Sequence, residues 1–201
     1  MHRLFLGDNI MAIRIFIDQG HNPGTINAGA EANGLEEQDV TYWTGFLLAK
    51  FLRFDPRFEV RLSRNDPNEV IGTSATTSLQ QRVSMANQWP ADYFISIHAN
   101  YNVNPNVNGS EVYVYRRDSD AFYLGEDVLD SIVQYVGTRD NFVRVNPALY
   151  VLRATAMPAI LVELGYLTNT ADAQLLRDDK FGFAYAIYIG LLRFFDLPCL
   201  N

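Results

Sequence analysis

The stretch that decides the fold is AILVELGYLTN, residues 159–169. Four apolar residues run directly into a carboxylate, Glu163, and the chain then becomes polar and turn-rich. A short run that is apolar throughout is typical of a strand covered on both of its faces. We therefore predict a buried strand over residues 159–162 that ends at an acid.

Runs of the same kind alternate with helical periodicity along the rest of the chain. Strands are predicted over residues 13–17, 58–62, 93–97 and 111–115, and helices over 36–51, 79–89, 120–136 and 172–195. Residues 72–78, 100–110 and 137–146 are predicted to be loops, the first two lining a site. Alternating strands and helices predict an α/β class of fold: a single domain with a mostly parallel, twisted sheet of about six strands and helices on both faces.

Composition excludes several classes of function. The chain has 201 residues, 48% hydrophobic and 19% charged, with a net charge of −7. Its length favours one domain with a sizeable core. Because phosphate backbones are bound by basic patches, the acidity argues against a nucleic-acid partner. No segment reaches the ~18 apolar residues of a membrane span, and the single cysteine, Cys199, excludes an internal disulfide or a cysteine-rich zinc site.

Three predicted strands lead into a side chain that can bind a metal or transfer a proton. His21 follows IRIFIDQG, His98 follows YFISI, and Glu163 follows AILV. In open α/β sheets, ligands bind in the crevice outside the carboxyl ends of the strands. Any one of the three could be a structural residue by itself, but together they predict one site at one edge of the sheet. The remaining histidine, His2, is given no role.

A third metal ligand is expected from NGLEEQDV, residues 33–40. Glu36 and Glu37 both lie near the apolar face at the start of a predicted helix, so periodicity does not separate them. Either could instead complement the helix dipole. Two imidazoles and one carboxylate suit a catalytic zinc, since three protein ligands leave a fourth position open. A further carboxylate, Glu163, could act as the general base for a water molecule there.

In its motifs and their order, the chain resembles the zinc-dependent N-acetylmuramoyl-L-alanine amidases of type 3. The family patterns D-P-G-H-G-G, G-x-x-E-K, S-I-H-A-N and P-A-x-L-V-E-x-G-F-x-x-N correspond here to DQGHNPG, GLEEQ, SIHAN and PAILVELGYLTN. The resemblance spans roughly residues 13–195. The sequence departs from the pattern at Gln19, Asn22, Pro23 and Tyr166, which bears on substrate preference but removes no candidate ligand.

The resemblance implies a role for each matching residue. His21, Glu37 and His98 match the zinc ligands, which separates Glu37 from Glu36. Glu163 matches the catalytic glutamate. Four further motif positions are interpreted as mainly structural: Arg64, Arg82, Asn87 and Asn169.

The resemblance also implies a function: hydrolysis of the amide between N-acetylmuramic acid and L-alanine of the stem peptide, with Zn²⁺ as cofactor and peptidoglycan or a muropeptide as substrate. Autolysins and endolysins have this activity, and it implies action at the cell wall, on the extracellular or periplasmic side. Two alternatives remain, another zinc hydrolase such as a stem-peptide peptidase, and a non-catalytic wall-binding module. The presence of Glu163 argues against the module.

The first residues are set apart from the rest. Residues 1–11 are predicted to be an N-terminal extension and residues 12–201 the amidase domain. Gly7, Asp8 and Asn9 interrupt the apolar stretch at the start, and no small-residue cleavage site follows. A signal peptide is therefore not predicted, and the export route stays open.

Overall fold

A computed structural model describes residues 11–200, so the predicted extension over residues 1–11 lies almost wholly outside the described part. The strands are β1 (Ile13–Gln19), β2 (Glu31–Ala32), β3 (Leu35–Glu36), β4 (Phe58–Leu62), β5 (Tyr93–Asn100), β6 (Ser110–Val114), β7 (Asp140–Val145) and β8 (Ala159–Tyr166). The helices are α1 (Glu37–Phe54), α2 (Ala75–Gln88), α3 (Asp120–Val136), α4 (Tyr150–Ala154), α5 (Thr170–Asp178) and α6 (Lys180–Phe194).

Six strands form one sheet in the order β4-β1-β5-β8-β6-β7, and β2 and β3 form a separate hairpin. Neighbours in the sheet are parallel except β6 and β8, which are antiparallel. The predicted fold, a single α/β domain with a mostly parallel six-stranded sheet, is confirmed. Since β5 and β8 are central and parallel, their carboxyl ends meet at the same edge.

Apolar side chains cover both faces of the sheet. On one face, Ile95 and Ile97 of β5 lie in one apolar cluster with residues of α1, α3 and α6. On the other, Phe94 stacks on Phe16 with ring centroids 5.7 Å apart, and Trp89 lies beside Phe16 in the same cluster. Burying each such side chain contributes roughly 1.5–3 kcal/mol. The continuous apolar runs of the central strands therefore reflect cover on two sides, as predicted.

Two predicted loops are partly regular structure, so these predictions were wrong in part. Residues 137–146 contain β7, which lies at the edge of the sheet. Its side chains alternate only weakly between partly buried and exposed positions, which is the pattern of a half-exposed strand. Residues 75–78 belong to α2, because the Ser74 side chain accepts a hydrogen bond from the Thr77 backbone and starts the helix there.

The predicted helical region 172–195 is two helices. Asp179 separates α5 from α6, and its side chain accepts a hydrogen bond from the Gly182 backbone N–H at 2.9 Å. This N-cap satisfies a donor that would otherwise be unpaired at the start of α6. No helix within residues 11–200 is long and apolar enough to cross a lipid bilayer.

Candidate metal centre and active site

Three elements bring His21, Glu37 and His98 together. His21 follows β1 by two residues with a φ of 68°, Glu37 is the first residue of α1, and His98 lies in β5. One nitrogen or oxygen from each of these side chains lies within 4.8 Å of the others. The structure thus places the three predicted ligands at one point. Glu36 is exposed, and its carboxylate accepts a hydrogen bond from the Gln38 side chain instead.

Glu37 is the most heavily hydrogen-bonded of the three. Its Oε1 lies 3.2 Å from His21 Nε2 and 3.0 Å from His98 Nδ1, and it accepts the backbone N–H of Ala99 at 3.1 Å. Its Oε2 accepts the backbone N–H of Ala30. Burial alone would raise the pKa of Glu37, but the bonds to both histidines and their charges lower it well below its usual range. The carboxylate is therefore held in its anionic form.

The two imidazoles are oriented by groups on their far sides. Nδ1 of His21 lies 3.1 Å from the Asn27 carbonyl oxygen, which can only accept, so this nitrogen carries a proton and Nε2 is the nitrogen that faces Glu37. Burial lowers the pKa of His21, but the hydrogen bond and charge of Glu37 outweigh it and the pKa is raised. The His98 ring packs on Gly20, where a β-carbon would lie 2.6 Å from Nε2. Only glycine fits at that position.

Arg82 braces the loop that carries His21. Its buried guanidinium pairs with Asp18 at 2.8 Å and donates hydrogen bonds to the backbone carbonyls of Gln19 and His21 and to the Asn22 side chain. Burial would raise the pKa of Asp18, but the charge of Arg82 lowers it. The left-handed backbone at His21 is thus held by the hydrogen bonds and charge of Arg82 rather than by apolar packing.

The other motif positions interpreted as structural also bond to the backbone. Arg64 is fully buried and donates to the Gln38 carbonyl at 2.7 Å. Asn87 accepts from the Ala156 backbone N–H at 2.9 Å. Asn169 caps α5, accepting from two backbone N–H groups of its first turn. Within the described part of the chain, none of these three side chains forms a hydrogen bond to His21, Glu37 or His98.

Glu163 lies directly beside this cluster, in β8. It is the register partner of His98 on β5 and of Glu111 on β6. Its Oε2 is enclosed and has no hydrogen-bond partner within residues 11–200. Burial first, and then the charges of Glu37 and Glu111, raise the pKa of Glu163 well above its usual value. The charged form of this carboxyl is therefore disfavoured.

The prediction that the strand ends at Glu163 was wrong. β8 continues to Tyr166, and β5 likewise continues past His98 to Asn100. The backbone pairing persists because β5 extends alongside β8, with Asn100 in register with Tyr166. Leu164, directly after Glu163, is fully buried in the apolar cluster that includes residues of α1, α3 and α6, so the apolar cover also continues past the acid.

Sequence reasoning missed a second buried acid, Glu111, which is 2% exposed. Its Oε1 accepts from Asn100 Nδ2 at 2.6 Å and from the Tyr166 hydroxyl at 3.0 Å, and its Oε2 lies 2.7 Å from Arg144 Nε. An acid inside the apolar strand SEVYV was the available signal. Its meaning depends on the antiparallel pairing of β6 with β8, which the sequence does not show.

The donor set suits a divalent cation. Two imidazole nitrogens and one carboxylate oxygen converge from three separate elements, and the carboxylate is held anionic. Mixed nitrogen and oxygen donors of this kind are typical of zinc sites with an open position. A carboxyl beside such a set, with an enclosed oxygen that has no partner within residues 11–200, can carry a proton. The fold and site together suit a class of hydrolases built on an α/β sheet, with a candidate site for a metal ion.

Comparison with known proteins identifies the family within that class. The chain belongs to the Amidase_3 family, N-acetylmuramoyl-L-alanine amidase, whose model matches residues 15–193. This match covers both central strands and all residues of the site described above. The resemblance found in the sequence motifs is therefore confirmed at the level of the family, and the chain is a member of a family of amidase enzymes.

Individual relatives agree with the family match. The chain is 37% identical over 189 residues to the N-acetylmuramoyl-L-alanine amidase CwlM of Bacillus licheniformis, covering 92% of this chain and 70% of the relative. It is 34% identical to the amidase LytC of Bacillus subtilis (strain 168), covering 94% of this chain but only 37% of LytC. The chain thus spans little more than a third of LytC.

Solved structures show the same architecture. An N-acetylmuramoyl-L-alanine amidase from Clostridium difficile 630 superposes with a TM-score of 0.81 at 30% identity, covering 92% of this chain and 97% of the other. The catalytic domain of the amidase CwlV from Bacillus (Paenibacillus) polymyxa var. colistinus gives 0.81 at 29% identity, covering 92% and 99%. The described domain therefore corresponds to nearly the whole of each of these structures.

Proposed function

We propose that the domain over residues 12–201 is the catalytic domain of a zinc-dependent peptidoglycan amidase. Its reaction is hydrolysis of the amide between N-acetylmuramic acid and L-alanine of the stem peptide. The observation that carries the proposal is the pairing of His98 and Glu163 on adjacent strands, which puts an unpartnered carboxyl beside the cluster of His21, Glu37 and His98.

Zinc is the cofactor of the proposal. His21 Nε2, Glu37 Oε1 and His98 Nδ1 would hold it, since these atoms face one another and Glu37 supplies the negative charge. Zinc held there supplies Lewis acidity toward the amide carbonyl and toward a water molecule. Before metal enters, Glu37 keeps both imidazoles in place through direct contacts, so the site is ordered in advance.

Glu163 is the proposed proton carrier. The carboxyl group would accept a proton from water and deliver it to the departing amine of L-alanine, since its Oε2 has no competing donor within the described chain. The raised pKa favours uptake of a proton, because burial and the neighbouring acids disfavour the charged form of the carboxyl. Peptidoglycan as substrate places this reaction at the cell wall.

Product analysis tests the reaction. Purified peptidoglycan is digested with the zinc-loaded protein, and the released material is identified by mass spectrometry and amino-terminal labelling. The proposal expects intact stem peptides that begin with L-alanine. A stem-peptide peptidase would release shorter fragments and leave L-alanine attached to muramic acid, and a wall-binding module would release nothing. Either of the last two results would overturn the proposal.

A matched pair of variants separates chemistry from binding. Glu163→Gln is expected to retain zinc and lose release of stem peptides. Glu126→Gln changes an exposed acid on α3 and is expected to behave like the parent protein. Chelation should abolish release, and added zinc should restore it in the parent but not in Glu163→Gln.

A further inference from the structure

The loop that follows His21 carries two asparagine side chains that converge on one buried hydroxyl. Nδ2 of Asn22 lies 3.3 Å and Nδ2 of Asn27 lies 3.2 Å from Oγ of Ser78, the fourth residue of α2. Ser78 is fully buried, and it lies 56 and 51 positions away from these two residues along the chain. Its hydroxyl therefore joins the loop to the helix, and the proposed reaction gives it no role.

Asn27 connects this hydroxyl to the candidate metal centre. Its backbone carbonyl oxygen accepts two hydrogen bonds, one from Nδ1 of the His21 ring at 3.1 Å and one from the Asn22 backbone N–H at 3.1 Å. Within residues 11–200, this carbonyl is the only hydrogen-bond acceptor of Nδ1, and Nε2 lies 3.2 Å from Glu37 Oε1. The position of one backbone carbonyl therefore sets the orientation of the His21 ring.

The carbonyl of Asn27 belongs to a residue outside the helices and strands. Asn27 has a φ of 55°, in the left-handed region that asparagine enters more readily than most residues other than glycine. The peptide plane of such a residue is not fixed by a ladder of backbone hydrogen bonds. The bond from its side-chain amide to Ser78 anchors this conformation to α2.

Ser78 is well fixed for this purpose. Its backbone N–H donates to the Ser74 carbonyl at 2.9 Å, and Gly72 packs so closely that a β-carbon there would overlap the Ser78 backbone. Nε of Arg82 also donates to its Oγ, at 3.2 Å. Because Oγ accepts from three N–H groups in a buried place, a shift of this hydroxyl would leave buried donors unpaired.

We propose that Ser78 and Asn27 are positioning residues for zinc binding. Ser78 holds Asn27, and the Asn27 carbonyl holds the His21 ring with Nε2 toward Glu37. The inference rests on the zinc site of the proposed function. It differs from the support given by Arg82, which bonds to the backbone carbonyl of His21, whereas Asn27 bonds to the ring.

Zinc affinity is the first measurement. Asn27→Gly keeps the carbonyl and permits the left-handed backbone but removes the amide that bonds to Ser78. Ser78→Ala removes the acceptor itself. Each variant is expected to bind zinc about tenfold more weakly than the parent protein, as is typical when a hydrogen-bond partner of a metal ligand is lost. Competition with a chromophoric chelator measures the affinity.

The exchange of the His21 Nδ1 proton with water separates ring orientation from general stability. It is followed by NMR in zinc-loaded protein labelled with ¹⁵N-histidine. Both variants are expected to raise the exchange rate by about tenfold, because the proton loses its fixed acceptor. If Ser78 and Asn27 served folding alone, the variants would lower the free energy of unfolding and leave this exchange rate unchanged.

Two matched variants serve as controls. Asn33 has a φ of 52°, and its side-chain amide donates to the Leu167 carbonyl at 2.8 Å, so Asn33→Gly makes the same change in a turn that does not contact His21. Ser84→Ala removes an α2 hydroxyl that accepts from Gln88 instead. Both should keep the zinc affinity and the exchange rate of the parent protein. An equal loss of affinity in Asn33→Gly would overturn the inference.

The double variant tests whether the two residues act in series. The loss of zinc affinity in Asn27→Gly with Ser78→Ala should be smaller than the sum of the two single losses, and additive losses would overturn the inference. Parent-like zinc affinity and exchange in Asn27→Gly would also overturn it, and this variant decides alone if Ser78→Ala does not fold. If the variants behave as expected but the parent protein releases no stem peptides, the proposed amidase function fails and the positioning role stands.

Discussion

Two glutamates at the same edge of the sheet lie in opposite environments. Glu37 accepts hydrogen bonds from two backbone N–H groups and contacts both histidines, whereas Glu163 has an enclosed oxygen without a partner within the described residues. Burial acts on both, yet the pKa of Glu37 is lowered and that of Glu163 is raised.

Two glutamates beside the same edge of a sheet can thus have pKa values shifted in opposite directions. Donors around a buried carboxylate favour its charged form, and neighbouring negative charges without donors favour its neutral form. Carboxyl groups whose pKa values are driven apart are suited to different roles. On this basis Glu37 is the proposed metal ligand and Glu163 the proposed proton carrier.

Removing the satisfied acid should have the largest effect. Glu37→Gln loses the negative charge between the two imidazoles, so zinc affinity should fall by more than the ~10–100-fold that follows loss of an outer hydrogen-bond partner. Hydrolysis should fall below detection. Zinc affinity is measured by competition with a chromophoric chelator, with circular dichroism to confirm folding. Zinc binding equal to that of the parent protein would remove Glu37 from the ligand set.

Removing the unsatisfied acid should spare the metal. Glu163→Gln is expected to bind zinc as the parent does and to lower kcat by about 10²–10⁴-fold, since a carboxamide cannot carry the proton. Metal content and turnover on the same preparation check this expectation. Full turnover in Glu163→Gln would show that Glu163 is not the proton carrier.

Removing Arg82, which holds the turn at His21, should have a smaller effect. Arg82→Ala leaves Asp18 buried without its cation, which typically costs about 3–5 kcal/mol in the free energy of unfolding. Urea unfolding of the metal-free protein measures it. Zinc affinity should also fall, by about tenfold, because the His21 turn loses its brace. Arg61→Ala, outside this network, is the matched control, and equal losses in both variants would contradict the brace.

The smallest effect is expected from a change at Asp55, a carboxylate that lies away from Glu37 and Glu163. Asp55 is buried and accepts from Arg57 Nε at 2.8 Å and from the Tyr188 hydroxyl at 2.9 Å. Burial would raise the pKa of Asp55, but the bonds from Arg57 lower it below 3.8. Asp55 thus resembles Glu37 in its donors but has no histidine beside it.

The sign of the pH effect follows from that lowered pKa. Ionised Asp55 stabilises the fold above its unfolded pKa, and this contribution is lost as pH falls through the folded pKa. Asp55→Asn should lower the free energy of unfolding by about 1–3 kcal/mol at pH 7. Urea unfolding at pH 7, 5 and 3 should show the gap between the two proteins narrowing toward pH 3. A gap that stays constant would mean that Asp55 keeps its ordinary pKa.

Much of the fold could be predicted because the signals are local. The runs YFISI and AILV are apolar throughout, and this requires cover on both faces, hence a parallel sheet with two helical layers. The weaker strand β7 was missed because an exposed edge strand has no continuous apolar run. The start of α2 was misplaced because its capping residues, Ser74 and Thr77, are also typical of loops.

Local sequence patterns predicted β1, β4, β5, β6 and β8 along the chain and the reactive residues where three apolar runs stop, so the convergence of His21, His98 and Glu163 was predictable from the sequence. The antiparallel pairing of β6 with β8, which puts Glu111 in register with Glu163, and the pairing of Arg144 with Glu111 are visible only in the tertiary structure. The two kinds of feature differ in the distance along the chain over which they are determined. Polarity patterns report what covers each residue, whereas strand direction and the donors around a carboxylate depend on segments far apart in the chain.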